Sequence, residues 1–270
     1  MTSTQVCPDA DRLARLIGAA IVTELTAPRR SSPFHLVLTG GTIGIRGLAE
    51  VRGAARFPQI DWSTVHLWWG DERFLPAGHP DRNETQARAA LIDHLDIPAE
   101  NVHPVPAADA PGVTSPEDAA RLYADELVRV VGPAGDAPSD DAGPVPPELD
   151  LVLLGMGPDG HVASLFPGHP GLDVVDRLVV GVHGSPKPPP ERVSLTFPAL
   201  NGAQTVLLLV SGAEKAPAVG RALRGDDLHT TPAAGVAGRS TTRWLLDMEA
   251  ASFDLTPEEQ ASSPEVTYER

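Results

Sequence analysis

From Asp11 onward, Leu13, Leu16, Ile17, Ala20, Ile21 and Leu25 recur at helical spacing until Pro28, which predicts an amphipathic first helix. Phe34–Leu38 then reads as a short buried strand, followed by Thr39-Gly-Gly-Thr-Ile-Gly and a helical stretch to about Arg56. Val65–Trp69 predicts a second strand, which runs into Gly70-Asp-Glu-Arg and a polar helix from about Asn83 to His94. Ser115-Pro-Glu-Asp has the marks of a helix start: a capping serine, proline at the first helical position and acidic residues in the first turn. Its apolar stripe runs through Ala119, Leu122, Leu127 and Val130. Gly132–Pro147 is rich in Pro, Gly, Asp and Ser without periodicity, and is expected to be a surface loop. Leu149–Leu154 is the clearest buried strand; further strand-like runs are Leu178–Val182, Val193–Phe197, Thr205–Val210 and Trp244–Asp247.

Strands alternating with helices predict an α/β fold of three layers, a mostly parallel sheet with helices on both faces. In such sheets, working residues gather at the strand carboxyl ends. Residues 1–252 are expected to form a single domain, and the polar stretch after Ser252 a helical or frayed tail.

The charge balance narrows the partners. Thirty-six acidic residues against 21 Lys plus Arg give a net charge near −15, so nucleic acid and anionic membranes are poor partners. An anionic substrate would need cations placed locally against that field. Only two lysines occur, Lys187 and Lys215, in a chain that writes its other cations as arginine. A single cysteine, Cys7, excludes an intrachain disulfide and any multi-cysteine metal site. With no signal-like start and no run of ~20 apolar residues, the expected location is cytoplasmic, as a monomer or weak homo-oligomer.

Three motifs carry candidate chemistry. Thr39-Gly-Gly-Thr lies between a strand and a helix, where glycines admit a ligand to the backbone and helix-start amides can hold a phosphate. It lacks the Gly-Lys-Ser/Thr of a Walker A loop, and a tight turn without a ligand fits it equally. Trp68-Trp-Gly-Asp-Glu-Arg sets Asp71, Glu72 and Arg73 directly after a strand; a solvated turn is the plain reading, and the strand-end position favours a working one. Gly155-Met-Gly-Pro-Asp-Gly-His-Val-Ala-Ser-Leu-Phe-Pro is the most specific. There Asp159 and His161 stand two residues apart on a turn, so the carboxylate can orient the ring of a proton carrier whose ordinary pKa is ~6.5.

These motifs, in this order and followed by Arg192-Val-Ser-Leu-Thr-Phe, closely resemble the 6-phosphogluconolactonase family over roughly residues 10 to 250. The resemblance implies the fold shared with glucosamine-6-phosphate deaminases, and hydrolysis of 6-phospho-D-glucono-1,5-lactone without a metal or cofactor. It also implies His161 as general base and later proton donor, with Asp159 orienting it. Arg73 would bind the sugar acid or stabilise developing charge, helped by the amides of Gly40 and Gly41, with Thr42 and Asp71 as further substrate contacts. Arg192 and Lys187 are the leading phosphate cations and Lys215 a third. One departure is visible: the family's first loop usually reads closer to Ser-Gly-Gly-Ser-Thr-Pro, and here Ile43-Gly44 replaces Thr-Pro.

Ser164 lacks a Gly-x-Ser-x-Gly elbow and is expected to be structural, and His169 and His183 are expected to be structural or rim residues. Two rivals stand. A sugar-phosphate isomerase/deaminase on the same fold would use Asp71 to abstract a proton, but the family resembled by that activity reads Ala-Phe-Asn-Glu-Pro where this chain has Ala163-Ser-Leu-Phe, without a carboxylate. A non-catalytic sugar-phosphate sensor would usually carry a DNA-binding extension, and no basic segment is present.

Overall fold

A computed structural model describes residues 1–28, 33–132 and 146–253, with the backbone of 266–268. Its main sheet is parallel throughout and has the order β10-β1-β9-β8-β5-β2-β3: β1 Thr2–Cys7, β2 Phe34–Leu38, β3 Val65–Trp69, β5 Leu151–Gly155, β8 Thr205–Val210, β9 Thr241–Asp247 and β10 Val266–Tyr268. Every residue of β2 and β8 is buried. Successive side chains of a strand point to opposite faces, so both faces of this sheet are covered, as the continuous apolar runs predict. The helices are α1 Ala10–Leu25, α2 Thr42–Glu50, α3 Asn83–Ala90, α4 Pro116–Val131, α5 Phe197–Asn201 and α6 Ala216–Leu223. The α4 cap is as expected, Ser115 Oγ accepting from Asp118 N at 3.2 Å; α1 starts one residue earlier than its apolar pattern, with the Asp9 carboxylate accepting from Arg12 N.

The structure departs from the sequence reading in several places. β1 was not expected, because Thr-Ser-Thr-Gln precedes its two buried apolar residues; it is held by six parallel pairings to β9. The runs Leu178–Val182 and Val193–Phe197 do not enter the parallel sheet. They supply β6 Val179–Val182 and β7 Arg192–Leu195 of a separate antiparallel sheet, order β4-β7-β6, in which Asp71–Arg73 forms the short edge strand β4. Phe197 opens α5 instead, because Pro198 at the first turn lacks the N–H a strand would need. The expected helix to His94 breaks at Leu91, where ψ is −57 but φ is −142, and continues as a 3-10 turn. The expected loop 132–147 and the tail lie largely outside the described residues; within the tail, Val266–Tyr268 is a strand beside β1.

Successive strands step outward in opposite directions from the β2–β5 boundary: β3 lies beyond β2, while β8 and β9 lie beyond β5. A parallel sheet opens a crevice at such a switch point, past the strand carboxyl ends. The glycine loop after β2 and the Gly155–His161 loop after β5 meet there, tied by Gly155 N donating to Thr39 Oγ1 at 3.1 Å.

Candidate active site

A cleft of about 310 Å³ occupies that crevice, and Gly40, Gly41, Thr42, Asp71, Arg73, His161, Lys187, Arg192 and Lys215 all line it. Of the expected residues only Asp159 stands behind the wall, bonded to His161.

The His161–Asp159 pair is built by the turn itself. Asp159 Oδ1 meets His161 Nδ1 at 2.5 Å, which fixes the ring and leaves Nε2 without a protein partner among the described residues. The ring also packs on Phe166, centroid to centroid 4.5 Å. Burial pushes the Asp159 carboxyl up, but its hydrogen bond to His161, the imidazole charge and Lys187 outweigh that and hold it at about 2. A group held low in the folded state adds stability that is present above its ordinary value of 3.8 and is lost as pH falls through about 2. The melting-temperature advantage of the native chain over Asp159→Asn should therefore be full at pH 6 and shrink towards pH 2; an advantage independent of pH over that range would show that the pair carries no such linkage.

Gly157 is required by the same geometry. A Cβ there would run into the His161 ring and the Asp159 carboxylate. Gly157→Ala should displace the pair and lower kcat by roughly tenfold or more, with the far-ultraviolet circular dichroism unchanged. Unaltered kcat would mean that the ring tolerates displacement. Gly160 turns the chain with φ +87, and Ala163 takes φ 49, a region few residues with a Cβ enter, directly on the cleft wall.

The cations are unpaired. Arg73 and Arg192 stand directly opposite each other across β4 and β7, an arrangement that repels unless something negative lies between or beside them. No carboxylate comes within 4.0 Å of Arg73, Arg192, Lys187 or Lys215 among the described residues. Arg192 donates Nε to Pro189 O and Nη2 to Lys187 O and Pro188 O, which holds the proline loop and leaves Nη1 for the cleft. Burial pushes the pKa of Arg192 and of Lys215 down, against the weaker pull of Asp71 on Arg192 and of Glu214 on Lys215. Buried charges without partners are costly, and an anionic ligand removes the cost. The leading amides of α2 add donors: its cap residue, Gly41, has φ 81 and no side chain to satisfy them. Gly44, the second residue of the Ile43-Gly44 departure in the first loop, lies in the first turn of α2, where a Cβ would press on Thr39 Cγ2 at 2.9 Å.

Three residues make contacts that the sequence does not announce. Ser164, expected to be structural, is fully buried and donates Oγ to Asp71 Oδ2 at 2.6 Å, so it holds that carboxylate. Glu72 is buried at 1% exposure and accepts from the backbone N–H of Arg73, Asn83 and Glu84, capping α3. Burial pushes its pKa up to about 7 against the pull of Arg82 and those three N–H groups. Asn83 lines the cleft and accepts from Arg73 Nη1 at 2.7 Å. A polar residue opening a helix gives no signal of such a contact.

His169 and His183 lie elsewhere, in a wider groove of about 970 Å³ beside α4 and β6. Its charges satisfy one another: His183 meets Glu117 at 2.7 Å, Arg121 meets Asp125 and Arg177 meets Asp176. Among the described residues, no cluster of His, Cys, Asp or Glu has metal-binding geometry, and no helix is long and apolar enough to cross a membrane.

Residues 8–244 match the family model of glucosamine-6-phosphate isomerases/6-phosphogluconolactonase. The chain belongs to this family. Within it, a 6-phosphogluconolactonase of Streptomyces coelicolor is 46% identical over 245 residues, covering 90% of this chain and 91% of the relative. One from Mycobacterium leprae is 45% identical over 251 residues, covering 93% and 94%. The solved structure of 6-phosphogluconolactonase from Trypanosoma cruzi superposes with a TM-score of 0.80 at 25% identity, over 93% of this chain and 96% of that one. A monomeric glucosamine-6-phosphate deaminase shares the fold, with a TM-score of 0.73 at 19% identity, over 93% of this chain and 100% of that one.

Proposed function

We propose that the chain hydrolyses 6-phospho-D-glucono-1,5-lactone to 6-phosphogluconate, the lactone-opening step of the oxidative pentose phosphate pathway. The observation that carries this reading is a single histidine, fixed at Nδ1 by Asp159 and open at Nε2, facing a cleft ringed by cations that, among the described residues, have no carboxylate oxygen within 4.0 Å.

A lactone is a cyclic ester. His161 Nε2 takes a proton from water as the water oxygen bonds to the lactone carbonyl carbon, and the carbonyl oxygen becomes an oxyanion. Arg73 and the glycine-loop amides stabilise that charge. When the bond from this carbon to the ring oxygen breaks, His161 returns its proton to the leaving oxygen. The new carboxylic acid ionises, so each turnover releases one proton. Asp159 keeps the imidazole aimed through its contact with Nδ1. Lys215, Arg192 Nη1 and Lys187 supply the positive field for the phosphate, and Asp71, held by Ser164, offers an acceptor to sugar hydroxyls.

The isomerase/deaminase reading is less well supported. The motif after His161 supplies no carboxylate where that activity has one, and the two relatives at 45–46% identity are lactonases by name. Offering both substrates separates the two: the lactone should yield acid above its spontaneous rate, and glucosamine 6-phosphate should yield no ammonia. Ammonia without acid release would assign the chain to the other branch. The same reading places it in the cytoplasm, as one domain over residues 1–252, working as a monomer or weak homo-oligomer on a small sugar phosphate rather than on nucleic acid.

A further inference from the structure

We infer that Asn83 is the positioning residue that aims Arg73 into the cleft, and that it does so with a neutral acceptor so that the guanidinium charge stays open for the substrate. The inference rests on the proposed lactonase reading for its kinetic consequence, and on geometry for the rest.

Arg73 is a long side chain at the end of an edge strand, and among the described residues no carboxylate oxygen lies within 4.0 Å of it. Its Nη1 is gripped by two neutral oxygens, Asn83 Oδ1 at 2.7 Å and Asp81 O at 2.8 Å. Asn83 is itself over-determined. Its Nδ2 donates to Asp71 O at 2.8 Å, which fixes which end of the amide faces Arg73. Its backbone N–H donates to Glu72 Oε1 at 2.6 Å. Across the cleft, Gly40 leaves the space that the carboxamide oxygen fills: a Cβ there would land on Asn83 Oδ1. One side chain, 2% exposed, thus joins the glycine loop, the Asp71–Arg73 strand and the start of α3.

The choice of an amide matters electrostatically. A carboxylate in this place would pair with Arg73 and cancel the charge that stabilises an oxyanion, whereas an amide oxygen directs the group and leaves its charge. Arg192 opposite repels Arg73, so without Asn83 the guanidinium would swing away from it. Misplacing a reacting or charge-stabilising group by about 1 Å costs on the order of tenfold to a hundredfold.

Asn83→Ser should keep the fold, because Glu72 caps α3 through backbone N–H groups that any residue but proline retains. Asn83→Ala serves as a second variant with the same expected result. Each should lower kcat on the phosphorylated lactone about tenfold with KM changed less than threefold. In an Arg73→Ala background the same substitution should change kcat less than twofold, because its target is gone. Two independent losses that multiply in the double variant would overturn the inference. A second readout does not depend on turnover: the Arg73 guanidinium N–H signals in nitrogen-15 correlation spectra, assigned by their loss in Arg73→Ala, should be sharp in the native chain and broadened in Asn83→Ser. Unchanged signals would overturn the inference even in a chain without lactonase activity, while failure of the native chain to hydrolyse the lactone would count against the functional reading alone.

Discussion

His161→Ala is expected to lower lactone turnover by at least ~100-fold in a chain that still folds, since a positioned acid–base group contributes about 10²–10⁴ to a rate. The size follows from the site. His161 is bonded through Nδ1 and offers Nε2 to a cleft in which no serine or cysteine is placed as a nucleophile. Asp71, the carboxylate on the cleft wall, has its Oδ2 engaged by Ser164. The ring is largely enclosed, with 14% of its side chain exposed, so the variant loses some packing on Phe166 as well. A melting temperature within a few degrees of the native chain, with turnover lost, separates chemistry from folding. Near-native turnover in the folded variant would move the chemistry elsewhere.

The second large effect concerns the phosphate. Lys215 and Arg192 are cations whose charge burial disfavours more than Glu214 and Asp247 at Lys215, or Asp71 and Glu72 at Arg192, restore it, and among the described residues neither has a carboxylate oxygen within 4.0 Å. A charge-assisted hydrogen bond contributes roughly 1.5 to 3 kcal/mol, or about one to two orders of magnitude in affinity. Lys215→Met and Arg192→Ala should each lower kcat/KM for the phosphorylated lactone by that factor. For the unphosphorylated lactone the already low value should change little in Lys215→Met. It should fall somewhat in Arg192→Ala, because this arginine also holds the Lys187–Pro189 carbonyls and so shapes the loop. Equal proportional losses on both substrates for Lys215→Met would mean that the ammonium serves the fold or the lactone ring rather than the phosphate.

Much of this was legible before any coordinates. The strands Phe34–Leu38, Val65–Trp69 and Thr205–Val210 are mostly apolar runs, interrupted only by His35, His66 and Thr205, and each appears in the parallel sheet at those bounds. Glycine and charged motifs at their carboxyl ends mark the cleft, and the rarity of lysine pointed to two side chains that both line it. What stayed hidden was long-range. Leu178–Val182 and Val193–Phe197 carry the same apolar signature as the parallel strands, and only the antiparallel pairing of Val179–Val182 with Arg192–Leu195, and of Arg192–Leu195 with Asp71–Arg73 about 120 residues earlier, assigns them to a second sheet. That pairing sets Arg73 opposite Arg192, and no local pattern announces it. Asn83, Glu72 and Ser164 were obscured for a related reason: each looks like an ordinary helix-start, turn or core residue, and its role comes from partners brought together by the fold.

The account's central claim is that this cleft opens a phosphorylated lactone by proton transfer through His161. The most direct test is a pH-stat measurement of acid release from freshly made 6-phosphogluconolactone, with the spontaneous rate subtracted. The account predicts one proton per lactone at a rate proportional to the concentration of the native chain, and a rate close to the spontaneous one with His161→Ala. Acid release by the native chain no faster than the spontaneous reaction would contradict it.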